Sequence, residues 1–245
     1  MPGLPRNCVI KAIILPSPIR FSRLKRLFPT AHIEKAYLLI AGGTSSGKST
    51  LVKCLVHQLL KKRDDAGNHT VDVCIIDLKG GMDYPPQWRI QDCAFCTTAE
   101  SGLSELEKIE RSLKDREKLF EDVSKEKGVP CSDLDTFNRL YSEKPLRRIV
   151  VVVDELAELT DTTGMSKAYK EVTSAVVGKL SSIARVGRAL GINLIVSTQR
   201  PDANVLPGQI KSNVVGGRFC GKADSILSQI ILGNTDAATL IPKDS

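Results

Sequence analysis

The chain has no apolar run approaching the eighteen or so residues that a membrane-spanning helix requires. Its amino terminus, MPGLPRNCVIKAIILPSPIRFSRLKRLF, also lacks the order of a signal peptide: prolines interrupt a short apolar patch, and the basic residues mostly follow it. Paired cysteines are missing as well. The seven are scattered, at Cys8, Cys54, Cys74, Cys93, Cys96, Cys131 and Cys220, and several lie inside apolar runs, as Cys74 does in VDVCIID. That usage suits small buried hydrophobes in a reducing compartment. The one suggestive spacing is Cys93-Ala-Phe-Cys96, with no second pair or nearby His pair to complete the four ligands of a structural zinc. These absences argue against a membrane-spanning helix within this sequence and against a disulfide framework, and they leave a metal or redox role for Cys93 and Cys96 as the minor alternative. They predict a soluble, cytoplasmic chain, peripheral to a membrane only through other proteins.

What is present is enough for a substantial core: 245 residues, 42% of them hydrophobic. Thirty-five Lys and Arg against 28 Asp and Glu give a net charge of +7. Such a balance fits an anionic partner, nucleic acid or a lipid surface, and equally a solvated basic face.

Hydrophobic patterning alternates between two periods. Tyr37–Ala41, Val71–Asp77, Arg148–Val153 and Ile192–Ser197 are short apolar or β-branched runs without polar alternation, which predicts strands covered on both faces. Between them, Ser49–Lys62 carries Leu51, Leu55 and Leu59 at helical spacing. Ser166–Leu190 carries Ala168, Val172, Ala175, Lys179, Ile183 and Val186 likewise, up to a stop at Gly191. Buried strands alternating with amphipathic helices predict a three-layer α/β domain with a mostly parallel central sheet. Ser101–Lys127, with Leu106, Ile109, Leu113, Phe120 and Val123 on one side, falls outside this rhythm and reads as an inserted helix packed across the sheet edge or against a neighbour. Residues 1–35, rich in proline and arginine, read as an arm or the remnant of a preceding module, leaving 36–245 as the main domain.

Three motifs carry the chemistry. Gly42, Gly47, Lys48 and Ser49 satisfy GxxxxGK[ST] directly after a strand and before a helix. Glycines allow a backbone curl whose N–H groups face phosphate oxygens, and the helix N-terminus adds favourable potential. Gly42, Gly43, Thr44, Ser45, Ser46, Gly47, Lys48, Ser49 and Thr50 are thus the expected contacts to ATP, with Lys48 bridging the β- and γ-phosphates and Ser49 offering its hydroxyl to Mg²⁺. In RRIVVVVDELAEL, a buried strand ends in Asp154 and Glu155, at the edge where a parallel sheet meets its ligand. Asp154 is the expected magnesium carboxylate and Glu155 the expected general base for in-line attack by water. In INLIVSTQRP, a strand ends in Thr198 and Gln199, whose amide is placed to sense the γ-phosphate before Pro201 turns the chain away.

Gly42–Thr50, DLKGG at Asp77–Gly81, VVVVDELAEL at Val150–Leu159, ARVGRALGINLIVSTQRP at Ala184–Pro201 and GQIKSNV at Gly208–Val214 follow one another in the order and approximate spacing of the FtsK/SpoIIIE family of DNA translocases. The segment Arg218–Gly233 is similar to the family's next strand and Asp-Ser helix start, so the resemblance covers roughly residues 36–240. It implies a RecA-like P-loop ATPase that assembles as a homo-hexameric ring around double-stranded DNA and moves it by ATP hydrolysis, with weak sequence preference. It further implies a site shared between subunits: Arg188 matches the family's trans-acting arginine, and Arg185, one turn earlier, is the reserve candidate. Residues 160–167 and 202–211 are the expected DNA-facing loops.

The resemblance also has departures. The membrane helices and winged-helix reader of septal members are missing, and the chain ends at ATLIPKDS where family members continue into a further strand. A fragment truncated at its carboxyl end, or a reduced relative from a mobile element, is therefore expected. Two other readings stay open: a related motor for protein secretion or conjugative coupling at a membrane complex, and a non-catalytic, nucleotide-dependent assembly module.

Overall fold

The computed structural model describes residues 10–14, 34, 37–43, 46–89, 93–202, 204–213, 217–220 and 224–240. Among these, seven strands form one sheet: β1 (Ile10–Ile14), β2 (Leu38–Ala41), β3 (Val71–Ile76), β4 (Cys93–Cys96), β5 (Arg148–Val153), β6 (Ile192–Thr198) and β7 (Gly217–Cys220). Their order is β1-β7-β2-β6-β5-β3-β4, and every pairing is parallel. The helices are α1 (Lys48–Leu60), α2 (Ala99–Lys127), α3 (Leu134–Leu140), α4 (Ala157–Thr160), α5 (Lys167–Val186), α6 (Gly208–Asn213), α7 (Ser225–Leu232) and α8 (Asp236–Leu240).

Parallel strands need long crossovers, and here the crossovers cover both faces of the sheet, so the central strands lose their polar alternation. β5 reads RIVVVV, and its Val150, Val151, Val152 and Val153 are all fully buried. Because side chains alternate across a strand, they divide between two cores. Val150 and Val152 join Leu38, Ile40 and Ile195 under α1, where Leu51, Leu55 and Leu59 pack as the sequence predicts. Val151 and Val153 join Leu39, Leu194 and Val196 under α2 and α5. The result is the expected three-layer α/β architecture.

The long helix differs from expectation. It is no insertion: it follows β4, a four-residue strand that the sequence reading passes over as a cysteine motif, and it is the crossover from β4 to β5. Its predicted stripe of Leu106, Ile109, Leu113, Phe120 and Val123 is buried on the same face as α5. In β4, Cys93 and Cys96 are an odd number of residues apart and therefore point to opposite faces; Cys93 packs with the α1 side and Cys96 with the α2 side.

α5 is also rotated from its predicted face. The buried residues are Thr173, Val176, Leu180, Ser181, Ile183 and Ala184, while Ala168, Ala175 and Val186 are exposed. The bulkier Val176 and Leu180 take the sheet contact from the alanines. Within residues 1–35, Ile10–Ile14 forms the edge strand beside β7, and the greater part of that stretch lies outside the described residues.

Candidate nucleotide site

The register of four strands brings the three motifs to one edge. Ala41 pairs with Thr198, Val153 with Val196, and Ile76 with Val153, so the residues that follow β2, β6, β5 and β3 emerge side by side at the carboxyl edge of the sheet. The phosphate-loop glycine Gly47 takes a left-handed conformation, φ 82°, immediately before α1, a geometry that L side chains adopt at a penalty. Lys48 and Ser49 are then the first two residues of the helix, Lys48 buried and Ser49 half-buried. Thr44 and Ser45 lie outside the described residues; of the other expected contacts, Gly42 and Ser46 are buried, Gly43 is half-buried and Thr50 is exposed on α1.

Glu155 is the centre of the constellation. Its Oε2 stands 3.5 Å from Lys48 Nζ, and Oε1 accepts from Thr198 Oγ1 at 2.8 Å. The backbone N–H of Gln199 donates to both oxygens, at 3.1 and 3.2 Å. The TQRP turn thus orients the carboxylate through its main chain and through Thr198, a contact that the reading of the Gln199 amide did not anticipate. Two further residues not singled out in the sequence belong here. Lys79 in DLKGG reaches Glu155 at 4.0 Å and Glu158 at 3.9 Å, with 45% of its side chain exposed. Asp77, buried, accepts the Lys79 backbone N–H at 3.0 Å. The signal for both was the DLKGG turn itself, a polar, glycine-closed end to a buried strand.

Asp154 has the opposite environment from its neighbour. Burial raises its carboxyl above the usual 3.8, Lys48 opposes the rise, and the nearby Asp77 adds to it. Tyr84 stands beside it without a well-formed hydrogen bond, and burial first, then Asp154, hold that phenol strongly protonated. Asp154 Oδ1, Ser46 Oγ, Tyr84 Oη and Ser197 Oγ are all buried and lack hydrogen-bond partners among the described residues. Buried polar atoms are ordinarily satisfied, so such a cluster around a phosphate loop is suited to hydrated Mg²⁺ with phosphate. The described residues contain no group of three or more His, Cys, Asp and Glu that could hold a metal. The donor set fits magnesium, an ion that keeps most of its waters and takes only one or two protein oxygens.

Arg185 and Arg188 are elsewhere. α5 ends at Val186, a turn earlier than predicted, and both arginines are exposed where the chain turns back into β6. That is the amino edge of the sheet. β6 alone, seven residues long, separates Arg188 from Gln199 by roughly 20 Å. Of the two expected DNA-facing segments, 160–167 follows β5 and 202–211 follows β6, with residue 203 outside the described residues; Arg200, just before the second, pairs with Asp161 in the first at 3.1 Å.

The profile of the FtsK/SpoIIIE family matches residues 27–203. The chain belongs to the FtsK/SpoIIIE family. It is 31% identical over 212 residues to the DNA translocase FtsK of Chlorobaculum tepidum, covering 84% of this chain and 24% of that protein. It thus spans about a quarter of the length of the curated relatives it matches. Among solved structures, the pCW3 conjugation coupling protein TcpA, in monomer form with ATPγS, has a TM-score of 0.71 at 34% identity over 84% of this chain and 54% of that one. The cytoplasmic domain of the type VII secretion ATPase EccC of Thermomonospora curvata shares the fold, with a TM-score of 0.59 at 21% identity over 84% of this chain and 23% of that one. The chain therefore carries an FtsK/SpoIIIE motor domain of the P-loop ATPase type. Among its described residues no helix is long and apolar enough to cross a membrane.

Proposed function

We propose that this chain is an ATP-hydrolysing motor that moves double-stranded DNA as a head-to-tail ring of copies, a hexamer, in the cytoplasm. One observation carries the reading: the phosphate loop and the exposed Arg185 and Arg188 occupy opposite edges of one sheet. An arginine so placed cannot serve its own subunit's phosphate loop; a second copy stacked heterologously brings the two edges together, and repeated rotation closes a ring.

In this reading Lys48 grips the β- and γ-phosphates and Glu155, held by Thr198 and the Gln199 backbone, accepts the proton of the attacking water. The pairing of Glu155 with Lys48 at 3.5 Å is a resting arrangement: phosphate competes for the lysine and frees the carboxylate. Ser49 and Asp154 would hold Mg²⁺, which neutralises phosphate charge when bound. Gln199 reports the γ-phosphate, and Arg188 of the next copy stabilises charge in the transition state. Residues 36–245 supply most of the motor, β1 from within residues 1–35 adds the edge strand to its sheet, and the net +7 charge favours contact with DNA phosphates.

The test is ATP turnover with and without linear duplex DNA, on the wild type and on Lys48→Ala. Turnover that rises with duplex, falls with salt and vanishes in the variant supports the reading; turnover indifferent to DNA in the assembled protein overturns it. A second reading, conjugative coupling, draws on the 34% identity to the pCW3 coupling protein. It predicts stimulation by a protein-bound DNA strand in preference to bare duplex.

A further inference from the structure

The turn that carries Arg188 is anchored from three directions. Tyr37, 2% exposed, immediately precedes β2, the strand that leads into the phosphate loop. Its hydroxyl donates to the carbonyls of Ile183 at 2.7 Å and Ile192 at 3.0 Å, across a sequence separation of about 150 residues, and the Arg188 backbone N–H faces the same oxygen. Gly187 makes room for this contact. A Cβ there would lie 2.7 Å from Ile192 O, 2.8 Å from Ile183 O and 3.0 Å from the Tyr37 hydroxyl. From the α2 side, Arg116, 7% exposed, donates to Leu190 O at 2.8 Å and to Arg147 O at 2.7 Å. From α3, the Leu134 N–H takes Ala189 O at 2.9 Å.

A buried tyrosine whose single proton is shared between two carbonyls, and a buried guanidinium directed at two more, are costly placements beside a turn whose Arg188 and Ala189 are exposed. Sheet packing alone does not call for them; phenylalanine and leucine would fill the same space. What they secure is the position of the main chain from Gly187 to Gly191. We propose that Tyr37 and Arg116 are positioning residues that fix the Arg188 turn for the nucleotide site of a second copy. β2 then links both halves of the shared site, holding the phosphate loop at one end and, through Tyr37, the arginine turn at the other. This rests on Arg188 acting in trans.

The test is a double-mutant cycle in the assembled protein, reading Mg–ATP turnover with linear duplex DNA and, separately, affinity for a fluorescent ATP analogue. Tyr37→Phe keeps the ring and removes the hydroxyl. The expected result is analogue affinity within about twofold of wild type, an unchanged KM and a turnover number about tenfold lower, the equivalent of one lost hydrogen bond. In an Arg188→Ala background the same substitution should add less than about twofold, because the group it positions is gone. Arg116→Gln should repeat the pattern, with partial recovery in Arg116→Lys, and it decides the matter if Tyr37→Phe fails to fold. Equal fold losses in both backgrounds, wild-type turnover in both single variants, or lost nucleotide affinity would overturn the proposal. If Arg188→Ala alone leaves turnover intact, the trans-arginine reading falls and takes this one with it; if Arg188→Ala abolishes turnover while both positioning variants keep the wild-type rate, only the positioning role falls.

Discussion

The two edges of the sheet treat their polar groups in opposite ways. At the carboxyl edge, Asp154, Ser46, Tyr84 and Ser197 keep buried oxygens without partners among the described residues, and burial pushes the Asp154 carboxyl above its ordinary range. At the amino edge, the carbonyls of Ile183, Ala189, Leu190 and Ile192 all accept hydrogen bonds from buried or backbone donors, while Arg185 and Arg188 extend into solvent. The first arrangement leaves oxygens available to an incoming cation and its phosphate. The second is already rigid and presents charge outward. A receptive edge and a presenting edge on one sheet are the two complementary faces that head-to-tail assembly requires.

Four substitutions would break or sharpen this contrast. Arg188→Ala strikes the presenting edge where the effect should be greatest: turnover falling by about 10³ or more, with binding of an ATP analogue retained within a few-fold, measured by steady-state ATPase and fluorescence titration. A loss of analogue binding of the same size would mean that the arginine acts in binding nucleotide and not in the transition state. Glu155→Gln strikes the receptive edge, with an expected drop in turnover of roughly 10²–10⁴ while nucleotide remains bound. Retention of wild-type turnover would remove Glu155 from the chemistry.

Gly187→Ala tests rigidity rather than charge. Its Cβ would meet two carbonyl oxygens at under 3.0 Å, so thermal denaturation should show a loss of about 2 kcal/mol. An unchanged melting temperature would show that the turn is looser than its hydrogen bonds suggest.

The smallest effect has the opposite sign. The folded pKa of Asp154 lies above 3.8, so the ionised carboxylate weakens the folded state at neutral pH. Asp154→Asn should raise the melting temperature of the nucleotide-free protein by about 2–4 °C while abolishing magnesium-dependent turnover. The sign follows from proton binding. The folded state holds the proton more tightly than the unfolded chain, so stability is lost as pH rises through that interval. The advantage of the Asn variant is therefore full at neutral pH and disappears as pH falls below the ordinary Asp value. A variant no more stable than wild type at pH 7 would mean that Asp154 is better satisfied than its surroundings indicate.

Much of the receptive edge was legible in the sequence, because each motif there is local. A phosphate loop needs its glycines and lysine within eight residues, and the acidic pair follows its own strand directly. The four strongest strands and both amphipathic helices flanking them were readable for the same reason. β4 was not: four residues with two cysteines carry little periodicity, and missing it turned a crossover helix into an apparent insertion. The partners of Glu155 were only partly legible, since Thr198 and the Gln199 backbone lie more than forty residues away and meet it through strand register. The bracing of the amino edge was wholly illegible. Tyr37 and Arg116 look like an ordinary strand-end tyrosine and a charged helix residue until tertiary structure directs them to carbonyls 146 and 74 positions away.

The strand order has a consequence for how the chain acquires its structure during synthesis. β2, which carries the phosphate loop, lies between β6 and β7, and among the described residues β1 pairs with β7 alone. At about 5–20 residues per second of elongation, β2 therefore waits on the order of ten seconds or more for its neighbours, with both backbone edges unpaired. The nascent chain through β5 can bury α1 against β3 and β5, yet it lacks the strands that flank the loop that holds phosphate. ATP binding should accordingly arise late and all at once, when Gly217–Cys220 leaves the ribosome and the sheet can close on both sides of β2.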